Sequence, residues 1–391
     1  MKKNLFFILM AGVALTGCVS NEVSSVSEDN APKALTFSSP VMYSNSTSRA
    51  AHYGEVGLHV YGTTSYSYPR EESFVIFAVN HLGDFAGWAA EGTTAHEINN
   101  TAISYDPSVD GWAPKTSEGK YYYWPEGKMS FAASSPADLE NAAVRNYGAN
   151  GITITNFEVP ADPGKQYDLL FSTRTVNKTS ADMQHGAEKY SGLPIQFQHA
   201  LSAVRFSIKN ETEAEVVLTG IKVYGVKYKG DFAENIAENA EDYTQYVRGT
   251  NVNPAWTPTD DVVAEDKAYT AFEGKVTFPI EAQYVLNLSE VDTDEPGEED
   301  NVNTLLLLPQ TLADNAVVEV HYTVDGNPHN KVAQLNLGET LNTETPVTAW
   351  QIGTRYTYRL VYTSSTAARD KIYFAPSTEA WVDEEVIVVE L

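Results

Sequence analysis

Cys18 is the residue of this 391-residue sequence whose surroundings spell out a definite chemistry. It is the only cysteine, and Leu15-Thr16-Gly17 stands directly before it. Upstream lie a basic start, Met1-Lys2-Lys3, and an apolar run from Leu5 to about Leu15. That run is too short to span a bilayer, which takes roughly 20 apolar residues, and it has the layout of a secretory signal. Small residues before a cysteine resemble the bacterial lipobox, where the sulfur receives a diacylglyceryl group and the chain is cut so that the cysteine comes first. Residues 1–17 are therefore expected to leave, and Cys18 to carry the lipid. Each buried methylene contributes roughly 0.8 kcal/mol, so several acyl chains would hold the protein firmly. A lone cysteine excludes intrachain disulfides and zinc sites built from several thiolates.

Other candidate chemistry is weaker. The sequence has no Gly-x-Ser-x-Gly, no phosphate-binding Gly-rich loop and no His-Glu-x-x-His, so no motif marks a catalytic residue. The histidines are scattered. The densest carboxylate run spans Asp292 to Asp300. Its start resembles a calcium loop, with Asp292, Asp294 and Gly297 at the first, third and sixth places. However, Pro296 takes a ligand position and Asn303 stands where a bidentate Glu belongs, so it reads as a solvated acidic loop. Tyr121-Tyr122-Tyr123-Trp124-Pro125 offers either a carbohydrate platform or a core strand entering a turn at Pro125-Glu126-Gly127, and the second reading is preferred. No metal and no cofactor is expected. With 52 acidic against 26 basic residues the formal charge is −26, which suits solubility and makes nucleic acid a poor partner.

The elements that must carry these residues read as strands. Val204, Phe206 and Ile208 alternate with Arg205, Ser207 and Lys209; Val318, Val320, Tyr322 and Val324 with Val317, Glu319, His321 and Thr323; Tyr356, Tyr358, Leu360 and Tyr362 with Arg355, Thr357, Arg359 and Val361. Period two with one apolar face marks half-buried antiparallel strands. Asp325-Gly326 before Val332–Leu337 predicts a hairpin. Asp138–Val144 and Asp231–Tyr243 are the best helix candidates, both short or polar. Residues 18–33 are small and polar, a disordered spacer between lipid and fold. A chain of this length suggests roughly two domains of about 100–200 residues, with a boundary placed near Gly192-Leu193-Pro194. The fold class is all-β, with β-sandwiches.

Two segments suit assembly. Near the start, Leu35, Phe37, Val41 and Tyr43 alternate with Thr36, Ser38, Pro40 and Met42, reading as a first strand over residues 34–49. The small polar stretch Ser44 to Ser48 then leads to Arg49-Ala50, where a trypsin-like protease would cut. Cleavage there would release the lipid, the spacer and the first strand together; the other reading is an uncut loop. At the far end, within residues 385–391, Ile387, Val389 and Leu391 alternate with Val386, Val388 and Glu390. Such a strand can complete another subunit's sheet by strand addition, or can be an ordinary last strand of its own domain.

Taken in order, the lipobox, Ser48-Arg49-Ala50, Tyr122-Tyr123-Trp124-Pro125, Phe197 to Val204, Leu305–Leu308 with Pro309-Gln310, and Trp350 to Tyr358 resemble the fimbrillin family of type V pilins and their relatives. The resemblance runs over nearly the whole chain, and the order and spacing of the segments carry it. It implies two transthyretin-like β-sandwich domains in tandem, over residues 34–193 and 194–391. It implies export as a lipoprotein to the outer membrane, removal of the first strand after Arg49, and a groove filled by a strand of a neighbouring fimbrial subunit. The expected function is thus a structural, non-enzymatic subunit of a surface fimbrium supporting adhesion, with a host glycan or protein as ligand. Stalk, tip and anchor subunits share this fold, so the place in the fibre stays open. The alternative is a surface lipoprotein that keeps Cys18 in the membrane and binds glycans.

Overall fold

The computed structural model describes residues 34–37, 41–42, 50–52, 55–60, 66–68, 70–83, 97–109, 111–140, 142–172, 175–182, 192–193, 195–236, 253–280, 286–288, 304–326, 331–337, 347–363 and 373–380. Cys18, Tyr43, Arg49, the acidic loop at 292–300, and Ile387, Val389 and Leu391 lie outside the described residues. The described chain is almost entirely β-strand, with sheets packed face to face as sandwiches. Three short 3-10 turns, Pro163–Lys165, Ser180–Asp182 and Glu265–Lys267, are the helical pieces among the described residues.

The first sheet is organised around Ser73–His81. Its sequence, Ser-Phe-Val-Ile-Phe-Ala-Val, is apolar without alternation because both faces are covered. Phe74, Ile76 and Ala78 enter one core cluster; Val75, Phe77 and Val79 enter another. Ile98–Asp106 pairs on one side, followed by Gly111–Trp112. Lys128–Ser135 pairs on the other, then Leu170–Ser172, then Gln196–His199.

A second layer consists of Val144–Gly148, Gly151–Glu158, Lys229–Ala233 and Ala255–Pro258, hydrogen-bonded in that order. Strands from either side of Gly192-Leu193 thus share one sheet. Asp231–Ala233, expected as the start of a helix, belongs to one of these strands. Gly230 and Phe232 point inward and Asp231 outward, so burial has period two, and Asn235 takes a left-handed turn with φ 51°. Asp138–Val144 is likewise not helical where described: Ala142 has φ 60°, and Val144 opens a strand. Short polar segments cannot bury a helical stripe, and the sheet takes them over.

The C-terminal sandwich centres on Ser202–Asn210. It runs parallel to Thr354–Tyr362 in unbroken register from Ala203↔Arg355 to Asn210↔Tyr362. Tyr373–Ala380 then pairs antiparallel on the outside. On its other edge Ser202–Asn210 meets Thr304–Leu307 and Leu286–Asn287. The facing sheet is Tyr269–Thr277, Val216–Tyr224, Val317–Val324 and Lys331–Asn336. Phe206 and Tyr358 pack at 5.9 Å, and Tyr322 and Tyr362 at 6.2 Å. The predicted hairpin is present: Val317–Val324 pairs with Lys331–Asn336, and Asp325 and Gly326 both take positive φ, 47° and 66°. These left-handed residues enter the turn between the two strands. Gly225, at φ 71°, sits so close to Asn315 that a Cβ would lie 1.8 Å from the carbonyl oxygen.

Candidate assembly site

The segment 34–37 closes the first sheet on itself. The backbone N–H of Phe37 donates to the Trp112 carbonyl at 2.8 Å, and the Trp112 N–H returns the bond to Phe37 at 3.1 Å. The Leu35 N–H donates to Tyr122 at 2.8 Å, and the Leu193 N–H donates to the Thr36 carbonyl at 2.9 Å. The segment therefore lies between the Trp112 end of the sheet and the strand entering Gln196–His199. Further along, Val41–Met42 keeps the same position. It runs parallel to Gln196-Phe197 on one side and antiparallel to Tyr66-Ser67 on the other. Ala50, just past Arg49, opens Ala50–His52, which pairs with Glu55–Val60. Glu55–Val60 in turn pairs with Tyr66–Ser67.

Two side chains fasten this strand to the core. Leu35 is 0% and Phe37 1% exposed, and both belong to the cluster that holds Phe74, Trp112, Phe131, Leu193 and Phe197. The Phe37 ring meets Phe131 edge-on at 5.4 Å. Around it Tyr68, Phe74 and Phe197 form a mutually packed aromatic group, with centroids 5.4–5.6 Å apart. Burying one Leu and one Phe contributes about 1.5–3 kcal/mol each, and an aromatic pair about 0.5–1.5 kcal/mol more. Tyr68 stays wholly inside. Its hydroxyl reaches the Ser73 carbonyl at 3.0 Å and Ser135 Oγ at 2.8 Å, and burial pushes its pKa up.

A polar clip supports the wall that receives Leu35. Asp106 ends its strand and accepts from the Ser108 N–H at 2.9 Å, Ser108 Oγ at 2.6 Å and Tyr121 Oη at 2.7 Å. Lys115 Nζ stands 2.6 Å from the same carboxylate. The bonds from Lys115, Ser108 and Tyr121 hold Asp106 well below the usual carboxylate range, and Asp106 raises Lys115. The clip ties Tyr121 down beside Tyr122, whose carbonyl takes the Leu35 N–H, and Tyr123, which bridges Ala34. Tyr122 and Trp124 are partly buried against the core. The aromatic run thus lines the closing strand in isolated bridges.

Three other edge strands discourage addition of a strand. Tyr373–Ala380 carries Pro376 in its middle, and Ala255–Pro258 is flanked by Pro254 and ends in Pro258. A proline cannot donate to a ladder. Tyr269–Thr277 is interrupted by register shifts against its neighbour. Three histidines are engaged by separate partners: His81 meets Ser130 at 2.9 Å, His199 meets Asp168 at 2.6 Å, and His321 meets Glu319 at 2.6 Å. Among the described residues no group of three or more His, Cys, Asp or Glu could hold a metal.

Leu35 and Phe37 were legible as one apolar face, and the structure places both in the core, while Val41 pairs with Gln196 and Ser67. The walls, Trp112, Tyr122 and Leu193, escaped the sequence, because no local pattern says which edges a segment will join.

The described chain is thus all-β, with sheets packed as sandwiches and residues 34–37 closing the first of them. The fimbrillin-like family model matches residues 75–381, and the chain belongs to that family. The family is one of structural, non-enzymatic subunits, and membership supports a role as a fimbrial subunit at the cell surface. Among solved structures, a fimbrial protein from Bacteroides vulgatus is similar at 16% identity, over 79% of this chain and 93% of that one, with a TM-score of 0.49. A putative cell adhesion protein from Bacteroides uniformis aligns at 13% identity over 91% and 100%, TM-score 0.43. A tip fimbrial protein from Porphyromonas gingivalis aligns at 10% identity over 79% and 94%, TM-score 0.31. A search of curated proteins found no match.

Proposed function

We propose that this chain is exported as a lipoprotein, held at the outer membrane through Cys18, and cut after Arg49 so that it can join a fimbrium by strand exchange. The observation that carries the reading is the two-sided enclosure of residues 34–37 and 41–42. Loss of this strand would leave the Trp112 and Leu193 edges unpaired and the Leu35 and Phe37 positions empty, next to an intact aromatic core. An unpaired edge over an apolar slot invites another strand. The incoming strand is residues 386–391 of a neighbour, whose Ile387, Val389 and Leu391 repeat the i, i+2 spacing of Leu35 and Phe37. A head-to-tail contact of this kind does not close and therefore yields filaments. Before cutting, Leu35 and Phe37 occupy the slot, and the chain remains a monomer.

The test is limited trypsin treatment of purified, delipidated protein, followed by size analysis. The same is done with Arg49→Ala and with the last six residues removed. Long oligomers from the unaltered chain alone support the reading. Equal polymerisation of Arg49→Ala removes processing as the trigger, and normal polymerisation of the shortened chain places the donor elsewhere.

A further inference from the structure

We propose a binding site for a neutral oligosaccharide in the cleft between Ala255–Pro258 and the ribbon made by Gln310–Thr311 and Ala349–Trp350. The cleft has a volume of about 440 Å3, within the range of small-molecule sites. Its wall is rigid. Trp256 packs on Phe157 and Phe232 at 5.4 Å each, and its indole N–H donates to the Ala200 carbonyl at 2.6 Å. Trp256 nevertheless stays partly exposed and lines the cleft. Gln310 is fixed as well: its Oε1 accepts from the Lys227 N–H at 2.7 Å, and its Nε2 donates to the carbonyls of Lys227 and Leu308 at 2.9 and 3.0 Å. A held aromatic surface costs little ordering when a ligand arrives.

The rim supplies the polar groups. Asn253 and Gln351 are exposed on opposite sides of the cleft, and their side-chain amides have no partner among the described residues. An amide offers both donors and an acceptor, which matches the hydroxyl pairs of a pyranose. The ligand class follows from what the cleft disfavours. Among the described residues Lys227 is its one charged side chain, and its Nζ is engaged by Asp260 Oδ1 at 3.3 Å. With a net charge of −26 the chain also repels anions, so acidic glycans are poor ligands. An extended peptide is disfavoured because Pro254 and Pro258 remove two N–H groups from the strand beside the cleft. A neutral sugar fits an aromatic surface edged by uncharged amides.

The experiment is a glycan array carrying neutral galactose-, mannose- and N-acetylglucosamine-terminated oligosaccharides beside their sialylated and sulfated forms, probed with the purified full chain. Trp256→Ala would damage the core, so the variant is Asn253→Ala/Gln351→Ala, whose two side chains are exposed; its melting temperature is checked first. Binding to neutral glycans is expected, with a loss of roughly tenfold or more in the double variant, the equivalent of about two hydrogen bonds. No neutral binder, a preference for acidic glycans, or undiminished binding by the double variant overturns the proposal. The site lies apart from the closing strand, so failure here leaves the assembly reading standing.

Discussion

Phe37→Ala isolates the contribution of the closing strand. The ring is 1% exposed and touches Phe131 at 5.4 Å, so the substitution removes a buried aromatic and leaves a cavity beside it. Phe→Ala in a core costs about 3–5 kcal/mol, a large fraction of the roughly 5–15 kcal/mol that holds a typical domain. Part of this loss is local, because the strand is held at its edges by isolated bridges rather than a continuous ladder. The amides of Trp112 and Leu193, which donate to Phe37 and Thr36, should therefore exchange with solvent faster than the amides of the central strand Ser73–His81. Urea unfolding measures the first quantity and hydrogen exchange the second. A cost below about 1 kcal/mol with unchanged protection at Trp112 and Leu193 would refute the assignment of Phe37 as an anchor.

Four further outcomes are expected. Gly225→Ala should destabilise by more than about 2 kcal/mol in a thermal melt, because the residue is left-handed and the Asn315 backbone blocks a Cβ. Tyr358→Phe should cost about 1–3 kcal/mol, since the buried Trp350 indole N–H, 3.0 Å from the Tyr358 hydroxyl, loses its acceptor. The folded pKa of Asp106 is lowered, so its stabilising contribution is complete above the unfolded carboxylate value near about 4 and is lost as pH falls through the folded value. Asp106→Asn should accordingly flatten the acid limb of the stability curve without steepening it near neutrality. Cys18→Ala should abolish fatty-acid labelling; labelling at the same level would sink the lipobox reading.

Much of the architecture was legible because half-buried strands write period two into the sequence. The alternation at 204–209, at 317–324 and at 355–362, and the Asp325-Gly326 turn, each led to a strand or hairpin found in the structure, but the antiparallel, half-buried reading fails for 202–210 and 354–362, which pair parallel to each other and bury Ser207, Arg355 and Thr357 as well. Ser73–His81 carries no such alternation, since it is covered on both faces. The helix expected from Asp231 onward failed because Phe232 is needed inward, where it packs on Phe171 at 5.1 Å and on Trp256. Lys229–Ala233 crossing back to pair with Gly151–Glu158 is a long-range event with no local trace. The candidate site was half visible: Leu35 and Phe37 announced an apolar face, but Trp112, Tyr122 and Leu193, which receive it, are brought together only by closure of the sheet. The cleft at Trp256 joins residues from four separate parts of the chain and left no pattern at all.

The account stands most directly on the N-terminal residue of this chain in fibres sheared from the cell surface. Cleavage after Arg49 predicts Ala50, with Leu35 and Phe37 absent from the assembled subunit. Fibres whose subunits begin at an acylated Cys18, with residues 34–49 still attached, would contradict it.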